Sequence, residues 1–234
     1  MKGRLLFLLA LLLPDLPLDP FRGGAAVSFR HPLGLDDLGR DALLRLLLAG
    51  ARSLGFASAC ALLALATALL LAWYGRRGRG ALSALRSVPP LLFLLPLAAA
   101  TGGLSLPVLF LVMGLLLAPH LEAPLRMRLE AFRRSPAWAA ERVLGASPAS
   151  TLRRWAPWGL DQAASLFPGA WLGALWGEAT LSALGLGPGP GRDSLGRLLS
   201  EELPRLTTDP SPLGWAALAA VLGLAWVSVP RRPA

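Results

Sequence analysis

Long apolar runs separated by short polar segments dominate the chain. A membrane-spanning helix needs roughly 20 consecutive apolar residues, with about 17 to 25 tolerated. On that basis the sequence predicts six spans, at residues 5–18, 53–73, 81–100, 104–118, 160–186 and 213–229. The pattern therefore predicts an all-α membrane protein with about six transmembrane helices.

Two of these runs are irregular. The first is short, is interrupted by Pro14 and Asp15, and follows a basic start. We expect an uncleaved membrane helix there, with a signal peptide as the alternative. The third run contains Pro89, Pro90 and Pro96, which predicts a kinked helix. Membrane helices tolerate such kinks where neighbours satisfy the freed backbone groups.

Composition favours the membrane interpretation. Charged residues make up 16% of the 234 residues, whereas soluble domains contain about 25%. The net charge of +9 would suggest nucleic-acid binding in a soluble protein. In a membrane protein it reflects cytoplasmic arginines, so no nucleic-acid partner is expected. The lone Cys60 is expected to pack in an apolar run, and His31 and His120 lack ligand spacing, so neither a metal nor a cofactor is predicted.

The distribution of charge predicts an orientation. With the amino terminus in the cytoplasm, the inner segments carry fifteen basic and three acidic residues, and the outer segments carry eight arginines and nine acids. Cytoplasmic loops of membrane proteins are enriched in Lys and Arg. We therefore expect a multi-pass protein of the cytoplasmic (inner) membrane with both termini in the cytoplasm.

A polar island at residues 138–158 interrupts the apolar sequence on the predicted inner face. The Ser-Pro pairs at 135–136 and 147–148 are typical of helix starts, and Gly145 is a natural helix stop. Pro157 is expected to end the second short helix before the membrane. Such a helix–Gly–helix unit is equally typical of a docking element for a partner and of a basic loop anchored to lipid headgroups by its arginines.

The island resembles the cytoplasmic signature loop of permease subunits in binding-protein-dependent ABC importers. That loop reads Glu-Ala-Ala, three residues, Gly, and a proline about a dozen residues later. The segment Arg142-Val-Leu-Gly145-Ala146-Ser147 matches its second half. In the first half, alanines stand at 139 and 140 where Glu-Ala is usual, and Glu141 lies two places later. The resemblance assigns ATPase coupling to Glu141, Arg142, Gly145, Ala146, Ser147 and Leu152.

Two segments on the predicted outer side resemble the dipeptide/oligopeptide/nickel branch of the same family. Residues 31–41, HPLGLDDLGRD, look like its His-Pro-Leu-Gly-Thr-Asp-x-Leu-Gly-Arg-Asp signature. Residues 177–199 look like its Glu-Ala-x-Leu-Ser-x-Leu-Gly-Leu-Gly segment, although leucine replaces a usual tryptophan at 195. The matched positions are His31, Pro32, Gly34, Asp36, Asp37, Gly39, Arg40, Asp41, Glu178, Ser182, Gly185, Gly187, Ser194 and Gly196.

Elementary chemistry suggests roles for the acids in these segments. Asp36 or Asp37 is suited to cap a helix, and Asp37 and Asp41 are placed to pair with Arg40 and Arg45 at helical spacing. The alternative for this segment is an interfacial helix that leads into the second span. Glu178 falls within the fifth span, and an acid at membrane depth is a functional candidate by default. The resemblance implies that Glu178 orders an outer gate through hydrogen bonds, with substrate binding as the alternative.

The resemblance implies a C-type permease subunit with the type I ABC importer fold. Residues 1–30 would form a membrane helix and outer linker, and 31–234 the permease domain with a cytoplasmic coupling loop at 119–158. The implied partners are a second homologous permease, cytoplasmic ABC ATPase subunits, an extracytoplasmic solute-binding protein and membrane lipid. The cargo would be a peptide, nickel or another small solute. The glycines at 185–191 lack the Lys-Ser/Thr of a phosphate-binding loop, so ATP hydrolysis is expected on the partner subunits.

Two other classes remain as alternatives. A polytopic membrane enzyme that modifies lipid would need acids or histidines clustered at one depth, whereas those of this chain are scattered along the sequence. A non-transporting membrane scaffold would use the polar island to bind another cytoplasmic protein.

Overall fold

The computed structural model describes residues 28–29, 31–74, 79–187, 193–205 and 212–228. Within these ranges the chain is all-α and contains no β-strand. The helices are α1 (Ala42–Tyr74), α2 (Arg79–Arg86), α3 (Pro90–Thr101), α4 (Leu106–Arg133), α5 (Pro136–Val143), α6 (Pro148–Ala183), α7 (Leu195–Glu202) and α8 (Pro212–Ser228).

Two of the described helices, α1 and α4, are long and apolar enough to cross a membrane. The apolar helix α3 is shorter, with 12 residues. The predicted fifth span lies largely within α6, and α8 covers most of the sixth. The first span lies outside the described residues, and the count of six spans stays a prediction.

Helices α1, α4 and α6 form the core, and small residues bring them together. Ala57, Cys60, Ala61 and Ala64 of α1 are all fully buried, at the three- and four-residue spacing of one helix face. Small residues allow helix backbones to approach closely where no water is available to drive association. The packing role predicted for Cys60 is confirmed.

The predicted kinked third span is wrong, because the structure breaks it into two separate helices. Helix α2 ends at Arg86 and α3 begins at Pro90, with Pro89 in an extended conformation between them. A proline disfavours helical backbone at the residue before it, so two consecutive prolines favour a break over a kink. Gly102, with φ 68°, then ends α3 in a left-handed conformation.

Two other helices continue past the ends that the sequence predicted for them. Helix α4 runs through Pro119 and Pro124 to Arg133, so the first part of segment 119–158 is a continuation of the fourth span. Helix α6 runs through Pro157, so the expected stop there is wrong. Each interior proline removes one hydrogen bond, but packing of these long helices against the core outweighs that local cost.

Helix α6 is antiparallel to α1, which gives the bundle two ends. Near the start of α1, the Ser53 hydroxyl donates to the Glu178 carboxylate at 3.2 Å. Near the C-terminal end of α1, the ring centroids of Trp73 and Trp155 lie 5.4 Å apart. The twenty residue steps from Ser53 to Trp73 extend about 30 Å at 1.5 Å per residue, which matches the hydrocarbon core of a bilayer. We call these the Arg45 end and the Trp73 end.

Candidate functional site

The first outer motif, residues 31–41, forms a tight turn in front of α1. Gly34 and Gly39 have φ of 77° and 72°, a region that glycine enters without strain. The Asp36 carboxylate accepts hydrogen bonds from the backbone N–H groups of Leu38 at 3.0 Å and Arg40 at 2.8 Å. The turn therefore satisfies its own backbone while it aims its charged side chains at the bundle.

The helix cap and the ion pairs predicted for residues 36–45 are wrong, because these side chains contact other partners. Because α1 begins only at Ala42, residues 36–41 are not helical, and side chains three or four positions apart in this segment are not neighbours on a helix. Asp41 caps α1 by accepting from the Leu44 N–H at 2.8 Å, and its other oxygen lies 2.7 Å from Nδ1 of His31. Asp37 pairs instead with Arg205, at 2.6 Å.

Arg45 is the centre of a charged cluster at this end of the bundle. It is only 3% exposed. Its Nε and Nη2 donate to the two carboxylate oxygens of Asp193 at 3.0 Å each, Nη2 also donates to Glu201, and Nη1 lies 3.3 Å from Oδ2 of Asp36. We call these four residues the Arg45 cluster. The cluster connects the turn before α1 and α1 itself to α7, because Asp193 lies just before α7 and Glu201 lies within it.

Neighbouring arginines extend the cluster. Arg40 donates to Asp36 at 2.7 Å and lies 3.7 Å from Asp193, while Arg197 donates to Glu201 at 2.9 Å. Burial alone would raise the pKa of Asp193 and of Glu201. The hydrogen bonds and charge of Arg45 outweigh burial and hold the pKa of both carboxyls below the usual values. Both acids are therefore ionised partners of Arg45 at neutral pH.

Acidification is expected to weaken this cluster. A carboxyl whose pKa is lowered on folding stabilises the protein above its unfolded pKa, and that stabilisation is lost as the pH falls through the folded pKa. Thermal unfolding in detergent should thus change little from pH 7 to 5 and fall below about pH 4, near the unfolded values. An Arg45→Met variant should lose less stability over the same range. An identical pH dependence in both proteins would contradict the assignment.

Glu178 occupies a buried polar node next to the cluster. It is 2% exposed, and its two oxygens accept from Ser53 at 3.2 Å and Ser182 at 2.8 Å. The Ser53 hydroxyl also accepts from the Leu195 backbone N–H at 3.0 Å, and Ser194 lies 3.5 Å from Ser182. We call Glu178, Ser53, Ser182 and Ser194 the Glu178 node. It ties α1, α6 and the start of α7 together.

Glycines at 187 and 196 allow the chain to approach α6 closely beside this node. A Cβ on Gly187 would lie 2.3 Å from Oγ of Ser182, and one on Gly196 would lie 2.4 Å from Cα of Ala179. Gly185, with φ 72°, turns the chain after α6. The structure therefore brings together five residues of the second motif: Glu178, Ser182, Gly187, Ser194 and Gly196. Pro32 of the first motif lies in the turn that precedes α1.

Gly196→Ala is expected to lower the free energy of unfolding by about 1–3 kcal/mol, as overpacking typically does. The new methyl would meet backbone atoms of Ala179, including the carbonyl oxygen at 2.7 Å, which cannot rotate away. Denaturant titration of the detergent-solubilised protein measures the loss. Gly50→Ala is the matched control, because a Cβ there meets nothing within 4 Å, and alanine is the better helix former. Equal stability of the two variants would contradict the close approach.

The polar island forms a helix–Gly–helix elbow at the Trp73 end. Ser135 caps α5 by accepting from the Trp138 N–H at 3.3 Å, and Ser147 caps α6 by accepting from the Ser150 N–H at 3.2 Å. Gly145, with φ 72°, turns the chain between them and has open space around it. These helix boundaries confirm the predicted starts and the predicted glycine stop.

The tip of the elbow is apolar and exposed. Val143 is 87% and Leu144 is 84% exposed, and Arg142, Ala146 and Ser147 are exposed beside them. Leu152 lies in the second turn of α6. Two large apolar side chains are therefore exposed side by side at the turn between α5 and α6.

Glu141 has an internal role, unlike the exposed Arg142, Ala146 and Ser147. It is 5% exposed, and its Oε1 lies 3.0 Å from Nη1 of Arg154, although neither carboxylate oxygen accepts a well-aligned hydrogen bond from a described residue. The close distance identifies an ion pair, and the poor alignment means that charge rather than hydrogen bonding carries it. Glu141 therefore joins α5 to α6 across the turn.

Aromatic contacts that no sequence motif indicated fix the elbow to the bundle. The guanidinium of Arg133 lies 5.4 Å from the ring centre of Trp73 and 5.8 Å from that of Trp138, and Trp73 also contacts Trp155. Such cation–π contacts contribute roughly 0.5–1 kcal/mol each at exposed sites and more when desolvated. Tryptophans at the ends of apolar runs were the only sequence signal for this anchor.

Comparison with known proteins shows no family for this chain, and the described side chains form no candidate metal site. Among the described residues, no group of three or more His, Cys, Asp or Glu side chains is placed to hold a metal ion. No protein-family model and no curated protein matches the chain. The resemblance to importer permeases thus stays a prediction that rests on the three motifs.

Proposed function

We propose that the chain is the transmembrane permease subunit of an ABC importer, coupled through the elbow to a separate ATPase. One observation carries the proposal: the exposed apolar tip formed by Val143 and Leu144 projects from the Trp73 end of a helical bundle long enough to cross a membrane. An element that transmits force from a cytoplasmic partner needs that combination of an exposed contact and a firm anchor.

The charges of the two ends support a cytoplasmic location for the elbow. Residues 126–154 carry seven arginines and two acids. At the Arg45 end, residues 36–52 and 193–205 together carry five arginines and six acids. The positive-inside rule then favours the cytoplasm for the Trp73 end and the exterior for the Arg45 end.

The continuity of α6 supports a direct mechanical connection. This helix begins at the elbow and extends, without a break at Pro157, to the Glu178 node. Its 36 residues span about 54 Å at 1.5 Å per residue. A displacement of the elbow by ATP-driven closure of the ATPases would therefore move the Ser182 side of the node at the opposite membrane face.

A groove between α1 and α6 supports assembly with a second permease subunit. Its volume is about 1030 Å³, and leucine, alanine and aromatic side chains line it, with Ser58 hydrogen-bonded to Trp171 at 3.1 Å. A surface of small and apolar residues suits packing of partner helices in lipid. An extracytoplasmic binding protein would deliver a peptide or related small solute at the Arg45 end.

Co-expression with the ABC ATPases of the source organism tests the proposal. A nucleotide-binding subunit should copurify with the wild-type chain, and ATP hydrolysis should respond to the loaded binding protein. Gly145→Pro should abolish both, since proline cannot adopt a positive φ. Recovery of a different cytoplasmic protein, with no ATPase bound, would favour a membrane scaffold instead.

A further inference from the structure

We propose that Glu122 and Arg126 of α4 are positioning residues that set the direction of the inner part of this helix during transport. This inference rests on the proposed function, because the pair would act on the path from the elbow to the bundle. It follows from the lack of hydrogen bonds to these buried groups, from the proline between them and from the part of α4 that follows.

Buried polar groups are satisfied at one end of the bundle and not at the other. Every buried polar side chain that the structure describes at the Arg45 end has a partner: Arg45, Ser53, Glu178, Ser182 and Glu202. Within the described ranges, the buried side-chain atoms without a hydrogen bond belong to Glu122, Arg126, Glu141 and Trp155. These four residues lie in the half of the bundle nearer Trp73. Native proteins hydrogen-bond nearly all buried polar groups, so this half has incomplete polar contacts in the conformation described.

Glu122 and Arg126 form an ion pair that stability does not explain. Glu122 is fully buried, and Nη1 of Arg126 lies 3.0 Å from its Oε1 without the alignment of a hydrogen bond. The cost of removing two charges from water offsets most of their attraction, and apolar side chains of similar size often stabilise a protein as well or better. A buried pair of this kind is suited to fix one arrangement of the helices over another.

The pair bridges a weak point in α4. Pro119 and Pro124 lie inside this helix, and Pro124 falls between the two charged residues. Because proline has no N–H, the carbonyl groups four residues earlier, at 115 and 120, lack their helical hydrogen bonds. Helices bend at such points. The two side chains therefore connect the turns on either side of a hinge at Pro124, and a change of bend changes the distance between their charges.

The part of α4 beyond this hinge leads to the elbow. Arg133, about 16 Å beyond Glu122 along the helix, lies 5.8 Å from the ring centre of Trp138 on α5. Before the hinge, Met113 and Ala118 are buried in the core that α4 forms with α1 and α6. Movement of the elbow is thus passed to α4 as a bend at Pro124.

The buried charge restricts this bend to two arrangements. A bend that separates the pair leaves the Glu122 carboxylate uncompensated, which is costly unless water reaches it. One arrangement therefore has Glu122 paired and buried, as described here, and the other has Glu122 hydrated.

Replacement of the pair by apolar side chains separates positioning from stability. In the complex with the ATPases, Glu122→Leu combined with Arg126→Met should keep or raise Tm, because no buried charge remains. Stimulation of ATP hydrolysis by the loaded binding protein should fall about fivefold or more, the lower limit of typical coupling between sites. Glu122→Arg combined with Arg126→Glu restores an ion pair at the same spacing and should recover most of the stimulation. Arg128→Met is the matched control, because its 3.7 Å contact with Asp161 is exposed and bridges no proline, and stimulation should change less than about twofold.

Chemical labelling of Glu122 measures its hydration directly. A water-soluble carbodiimide with glycine ethyl ester modifies accessible carboxyl groups, and peptide mass mapping of the wild-type complex reports modification at position 122. Modification should differ at least about fivefold between nucleotide-free and ATP-trapped complexes. Equal modification in both states, or full stimulation in the apolar double variant, would overturn the inference and leave the proposed function standing. Wild-type complexes whose ATP hydrolysis does not respond to the binding protein would instead refute the proposed function, and this inference with it.

Discussion

Arg45→Met is expected to lower the free energy of unfolding by about 3 kcal/mol. Removing one partner of a buried ion pair costs roughly 3–5 kcal/mol, because the remaining charge is left uncompensated. Arg45 is almost completely buried and contacts Asp36, Asp193 and Glu201. The partial exposure of Asp193 and Glu201 places the loss at the lower limit of that range. Denaturant titration in detergent, followed by helical circular dichroism, measures it.

The exposed pair of Arg205 and Asp37 provides the control for this prediction. Both side chains are more than half exposed, and exposed ion pairs contribute about 0–1 kcal/mol. Arg205→Met should therefore change stability by less than about 1 kcal/mol. A loss for Arg45→Met no larger than that of Arg205→Met would show that the cluster does not hold the Arg45 end together.

Gly145→Val is expected to weaken ATPase binding and coupled hydrolysis about 5- to 30-fold. A β-branched residue at φ 72° is strained, and left-handed backbone costs about 1–2 kcal/mol for residues other than glycine. At 1.4 kcal/mol per factor of ten, that cost gives the stated range. A Cβ added at position 145 would meet no atom within 4 Å, so conformation rather than space is the cause.

Gly145→Asn separates this cause from side-chain size. Asparagine is nearly as large as valine but tolerates the left-handed region, so binding should stay within about twofold of wild type. Isothermal titration or interferometry with the purified ATPase distinguishes the two variants. Equal losses for valine and asparagine would indicate a steric contact at the turn and contradict a conformational role.

Local sequence signals predicted the elbow well. Proline with a preceding serine marks a helix start, and glycine marks a stop, through interactions that span only three or four residues. The boundaries around Ser135, Gly145 and Ser147 therefore follow from the sequence alone. The burial of Glu141 against Arg154 does not, because it depends on the angle at which α5 meets α6.

Long-range contacts were beyond local reasoning. Arg45 and Asp193 are 148 positions apart, and no periodicity within either segment indicates that they pair. The capping and pairing predicted for residues 36–45 failed because that prediction assumed helical backbone before α1 begins. Pro157 was expected to end a helix, although packing of α6 against α1 and α4 maintains the helix through it.

The central claim is that the elbow contacts a nucleotide-binding subunit in the cytoplasm, and in-cell photocrosslinking from position 144 tests it most directly. A benzophenone side chain at 144 should crosslink to an ABC ATPase on illumination, whereas the same group at 205, on the opposite end of the bundle, should not. Crosslinking of 144 to no nucleotide-binding subunit, or labelling of a cysteine at 144 by an impermeant reagent added outside intact cells, would contradict the account.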